Sequence, residues 1–159
     1  MGPDARARRL MEVFDLVGPL YRKVFRRIEE ETPVAGVGVG VRAVLDLLHR
    51  NGPLTVPQMS RAQALSRQFV QRMVNDALAR GYAETRPNPA HRRSSLIALT
   101  PAGERAVRTV VAHEHAQLRR IGGDLTDAEL DACVKVLGRM LDLFDDVDMD
   151  GTTPPAPPP

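Results

Sequence analysis

The 159-residue chain holds one cysteine, no tryptophan, two tyrosines and four phenylalanines. A single thiol, Cys133, cannot close an internal disulfide, which fits a reducing compartment. With aromatics at 4% of residues, the core must be built from Leu, Val, Ala and Met. No run approaches the roughly 20 apolar residues that a membrane span needs. The first residues carry Asp4, Arg6, Arg8 and Arg9 and no apolar stretch, so no signal peptide is expected. No Gly-rich phosphate loop, nucleophile elbow or pair of catalytic carboxylates is present, so neither enzymatic activity nor a cofactor is expected. These absences predict a soluble, cytoplasmic, non-enzymatic protein with no membrane partner.

What is present is unevenly placed. Net charge is only +2, but Arg61 to Arg93 holds seven arginines against Asp76 and Glu84. From Asp124 to Asp150 there are nine acids against Lys135 and Arg139. That asymmetry predicts a polyanion partner for the middle of the chain. The length fits one domain, and a hydrophobic content of 43% suffices for its core.

Leu10, Val13, Val17, Leu20, Val24 and Ile28 fall at helical spacing between about Ala5 and Glu31. Gly18-Pro19 interrupts the pattern, but the stripe keeps its phase, which favours one bent helix over two. Val34 to Val41 alternates as a strand would, but its three glycines weaken that assignment. Helical spacing resumes at Val41 and stops at Asn51-Gly52-Pro53. Thr55 can cap a short helix with Pro57 at its second position and Met59 and Ala62 facing inward. Ser66 can cap a second helix with Val70, Met73, Val74, Ala77 and Leu78 on one face and Gly81 as its left-handed end. Phe69 lies at the border of the two faces, either as core edge or pressed on a thymine methyl, and is taken as core edge. Tyr82–Arg86 and Ser95–Leu99 are short strands around a loop held out of any sheet by Pro87 and Pro89. Thr100-Pro101 opens a helix that Gly122-Gly123 ends. Thr126 and Glu129 form a capping box for the last helix. Residues 151–159 are a Pro-rich, disordered tail.

A short helix, a polar helix and a basic hairpin in this order form a winged helix-turn-helix pattern. Ser66, Arg67, Gln68, Gln71 and Arg72 sit near the start of the second helix, the end that meets base edges in a major groove. Arg can donate two bonds to guanine, and Gln can pair with adenine. His91, Arg92, Arg93 and Ser94 place donors at the hairpin tip, where a wing lies along the backbone or dips into a minor groove. The alternative is a winged-helix protein-interaction module that does not bind DNA.

The stretch LSRQFVQRMVNDALARGYAETRPNPAHRRSSLIALTPAG resembles the core of the MarR family of transcription regulators. Leu65, Ser66, Arg67, Val70, Arg72, Gly81, Tyr82, Arg92, Arg93, Leu99, Thr100, Pro101 and Gly103 match the family's pattern. The chain departs from it at Gln63 (usually Leu), Ala64 (usually Gly) and His91 (usually Asp). The resemblance covers roughly residues 5–147. It implies a mainly α fold with a small β-wing: one domain over 1–150, a DNA-binding lobe at 41–100, and dimerisation helices at 5–31 and 101–146. It also implies a homodimer, usually a repressor, that binds double-stranded DNA and is often released by a small-molecule effector. Leu10, Val13, Val17, Leu130, Val134, Leu137, Leu141 and Phe144 would form the dimer interface. Tyr21, Arg22, Phe25 and His49 would line an effector site. Cys133, at an apolar position of the last helix, is taken as a buried, inert thiol. His113 and His115 point apart on a helix, so no metal site is expected.

Overall fold

The structure is a computed structural model. It describes residues 2–31, 34, 37–121 and 123–143, apart from the side chains of Phe25, Ile28, Glu29 and Ile121. Phe144, the acidic residues after it and the Pro-rich tail lie outside the described residues. Six helices and one two-stranded sheet are described: α1 (Pro3–Glu31), α2 (Val39–Asn51), α3 (Val56–Gln63), α4 (Arg67–Ala79), β1 (Ala83–Arg86), β2 (Leu96–Leu99), α5 (Pro101–Ile121) and α6 (Asp127–Asp142). This is the mainly α fold with a small wing. None of the described helices is long and apolar enough to cross a membrane.

α1 runs unbroken through Pro19, as the continuous apolar stripe predicts. The alternation of Val34–Val41 does not form a strand among the described residues. Gly38 instead caps α2, and Val39, Gly40 and Val41 belong to its first turn. The reason lies in the tertiary packing: a Cβ on Gly40 would come 2.9 Å from Cγ of Met73, so the glycine lets α2 approach α4.

The core sits where α2, α3, α4, the wing and α5 meet. Val44, Leu45, Met59, Val70, Val74, Val107 and Val110 are fully buried, and each contributes about 1.5–3 kcal/mol. Ala62, expected to face inward, is exposed. The turn between α3 and α4 is closely specified. Thr55 and Gln58 form a capping box at the start of α3. Ala64 adopts φ 49°, the left-handed conformation that glycine takes more cheaply. The Ser60 hydroxyl donates to the Leu65 carbonyl, and the Leu65 amide donates to the Ser60 carbonyl at 3.1 Å. Gln63 turns inward and donates to the Ala43 carbonyl at 3.2 Å, which ties α3 to α2.

β1 and β2 pair antiparallel, with Ala83 opposite Leu99 and Arg86 opposite Leu96. Leu54, just before α3, adds an isolated bridge to Ile97. The wing is therefore anchored at both ends. The Thr100 hydroxyl donates to the Gly81 carbonyl at 2.6 Å and accepts from the Gly103 amide at 3.1 Å, which locks the start of α5 to the end of α4.

α6 opens with the capping box read from Thr126 and Glu129, yet it buries none of its residues within the chain. Cys133 is exposed, which corrects the expectation of a buried thiol. A helix with no buried face offers its apolar positions no interior within its own chain.

Candidate nucleic-acid interface

α4 is fixed at its start by Ser66, whose hydroxyl accepts from the Phe69 amide at 3.3 Å. Val70, Met73, Val74 and Ala77 face the core. Arg67, Gln68, Gln71 and Arg72 consequently all lie on the exposed side. Gln71 donates to Asn75 Oδ1 at 2.9 Å, one turn further along the same face.

The wing folds over one flank of this helix. A groove of about 600 Å³ runs between them, lined by Arg67, Gln68 and Gln71 from α4 and by Arg93, Ser94 and Ser95 from the wing. Val56, Pro57 and Thr85 also contribute to its wall, with Leu78 and Ile97. The sequence pattern did not single the first three out. Their signal was indirect: the cap at Thr55 and the pairing of β1 determine where they fall. His91 and Arg92 lie exposed at the tip, and the Ser94 amide closes a turn onto the His91 carbonyl at 3.1 Å. Arg67, Gln68 and Gln71 are thus brought together with Arg93 and Ser94, while Arg72 is not among the residues lining the groove.

Phe69 is 43% exposed, not part of the core. The guanidinium of Arg72 lies over its ring, 5.4 Å from the centroid. Such a stack at an exposed site is worth about 0.5–1 kcal/mol.

A second cavity, about 500 Å³, lies where α1, α2 and α5 converge. Lys23, Arg27, Arg42 and His113 line it together with Val24 and Leu118. Arg42 and Glu114 form a two-pronged ion pair on its wall. Its hydrogen bonds to Glu114 hold the Arg42 pKa above the ordinary value, against the opposing effect of burial. Gln117 donates to Glu31 at 2.9 Å. The Nε2 of His113 is buried and has no hydrogen-bond partner among the described residues, with Glu31 3.9 Å away.

Of the residues expected around an effector, Tyr21, Arg22 and His49 do not line this cavity. His49, in the last turn of α2, faces Glu104 of α5, with Nδ1 3.2 Å from Oε2. Tyr21 lines a different, apolar groove with Leu137, Met140 and Leu141. Arg22 is exposed on α1, and the Phe25 side chain lies outside the described residues. The helical phase of α1 turns Lys23 and Arg27, not Arg22, toward α5.

The positions expected at a dimer interface are largely uncovered within the chain. Leu10, Val17, Leu130, Val134 and Leu141 are exposed, with Val134 at 72% and Leu141 at 70%. Val13 and Leu137 are half-buried. Val17, Leu137 and Leu141 border the same apolar groove between α1 and α6, about 390 Å³ in volume.

The family model described as "MarR family" matches residues 36–94, which include α2 to β1 and most of the groove's lining. An uncharacterized protein of Mycobacterium tuberculosis is 34% identical over 138 residues, covering 87% of this chain and 93% of its own length. A crystal structure of a MarR family transcription regulator superposes with a TM-score of 0.75 at 31% identity, covering 90% of this chain and 95% of the other. Bordetella bronchiseptica BpsR, whose DNA binding is regulated by 6-hydroxynicotinic acid, superposes with a TM-score of 0.69 at 25% identity, covering 82% of this chain and 99% of the other. With that fold, that groove and relatives matched nearly end to end, this chain belongs to the MarR family of winged-helix transcription regulators.

Proposed function

We propose that the chain is a sequence-specific, DNA-binding repressor that acts in the cytoplasm as a homodimer on a pseudo-palindromic operator. One observation carries this reading. Arg67, Gln68 and Gln71 share a groove with Arg93 and Ser94, so base-reading and phosphate-binding donors face one ligand. The DNA binding of BpsR supports the same assignment. The uncovered apolar faces of α1 and α6 support a partner of the same kind. Monomeric soluble proteins rarely leave such a contiguous surface open, and a two-fold pairing would cover it on both copies.

The effector belongs in the cavity lined by Lys23, Arg27 and Arg42. Glu31 pairs with Arg27 and Glu114 with Arg42, so among the described residues Lys23 is left as the uncompensated cation beside Val24 and Leu118, which suits a small aromatic monocarboxylate. The regulation of BpsR by 6-hydroxynicotinic acid supports that class.

Selection of bound sequences from random duplex DNA tests the function. The expected product is an inverted repeat with half-site centres about 10 bp apart. Recovery of no enriched sequence overturns the proposal. Light scattering at micromolar concentration tests the dimer, and a stable monomer refutes it. Transcription from a promoter carrying the selected site should fall when the protein is added; a rise would make it an activator. Aromatic carboxylates should raise the melting temperature and weaken operator binding. A series that does neither leaves a regulator without this effector.

A further inference from the structure

A lone exposed apolar side chain ordinarily needs no explanation. Phe69 differs in where it stands and what stands on it. It is the third residue of α4, within the first turn, and its backbone amide is held by the Ser66 hydroxyl. In a helix-turn-helix, that turn is the part that reaches base edges. Phe69 and Arg72 are three positions apart and therefore share a face. Neither residue lines the groove that Arg67, Gln68 and Gln71 share with Arg93. α4 thus has two exposed flanks: a polar one under the wing, and one formed by an aromatic ring with a guanidinium over it.

We propose that Phe69 is a specificity-determining residue whose ring packs on the C5-methyl group of a thymine, beyond the bases that Gln71 can reach. This rests on the DNA-binding reading above and adds a contact of a different kind. Gln and Arg recognise donors and acceptors. In the major groove, the thymine methyl is an apolar feature, and an aromatic ring is a suitable partner for it. Arg72 lies over the ring, and Phe69 still keeps 43% exposure for a base. The stack also limits where the guanidinium can travel, which keeps a cation beside the same base pair.

The test uses the full chain and the duplex selected by it, with each thymine of the half-site replaced in turn by deoxyuridine. That change removes one methyl group and nothing else. At one thymine per half-site the wild-type protein should bind about four-fold more weakly. Phe69→Ala should bind the thymine and deoxyuridine duplexes equally while keeping a cooperative thermal unfolding transition. Phe69→Leu keeps an apolar side chain and should give an intermediate ratio, so the test does not depend on one variant folding. Two results overturn the proposal: a wild-type protein indifferent to every replacement, or Phe69→Ala and Phe69→Leu that both keep the wild-type ratio. A wild-type chain that selects no sequence would overturn the DNA-binding reading as well, which separates the two failures.

Discussion

Arg42, in the first turn of α2, and Glu114, in the middle of α5, face each other through two nitrogen–oxygen pairs across 72 positions of sequence. Their side chains retain only 22% and 16% exposure. The pair joins the winged-helix lobe to the long helix that leaves it. Removing one partner of a buried pair costs about 3–5 kcal/mol because a charge is left uncompensated. Residual contact with water reduces that here to about 2 kcal/mol. Glu114→Ala should therefore lower the melting temperature by about 5 °C. Arg42→Leu combined with Glu114→Leu should recover at least half of the loss, since neither charge is then stranded. A Glu114→Ala variant that melts like the wild type would show that the pair carries no stability.

Gly103 is required for a different reason. A Cβ there would lie 1.9 Å from the Tyr82 carbonyl oxygen and 2.8 Å from its carbon. Both are backbone atoms, and the Tyr82 carbonyl already accepts from the Thr100 amide at 3.1 Å. Neither can move without opening the junction between the wing and α5. Gly103→Ala should cost about 3 kcal/mol, at the upper end for overpacking. Thermal unfolding reads the loss, and an unchanged midpoint would mean that the junction yields.

The parts of the fold that were legible are those governed by local chemistry. Thr55, Ser66 and Thr126 cap their helices where a hydroxyl can accept from an amide three positions on, and Gly81 takes the positive φ of a helix end. What was not legible depends on distant partners. Gly40 is explained only by Met73 across the helix pair. The cavity around Arg42 draws on three helices, and no spacing within one helix shows that Lys23 rather than Arg22 faces it. Phe69 sat at the border of two faces, where periodicity cannot decide. Cys133 and Val134 lie on an apolar stripe that periodicity assigns to an interior, but the chain by itself provides none for them.

Gln71 and Arg93 line one groove but should fail in different ways when replaced. Arg93→Ala removes a cation from the wing, and its loss should weaken binding to all duplexes. It should also reduce the slope of log affinity against log salt by about 1. Gln71→Ala removes a side chain able to pair with adenine, so affinity should change at particular base pairs, by about 1–3 kcal/mol at the position it reads. Binding curves over a salt series check the first, and repeated sequence selection checks the second. An unaltered salt slope, or an unaltered selected sequence, would remove that residue from the interface.

Glu129 provides a pH-dependent contribution at the start of α6. The Thr126 hydroxyl and amide donate to its Oε2 at 2.7 and 2.8 Å. These bonds hold the Glu129 carboxyl below its ordinary value of 4.5. A carboxyl whose folded pKa is lowered adds stability that is fully present above the ordinary value and is lost as pH falls through the lowered one. The negative charge also faces the positive end of the helix dipole, which adds to the same sign. Glu129→Gln preserves an acceptor oxygen for both donors and removes only the titration. The wild type should therefore melt above the variant at neutral pH, and the gap should close as the pH drops below 4.5. Subtracting the two curves cancels the other carboxylates, so a gap that persists in acid would show that the charge of Glu129 contributes nothing at this cap.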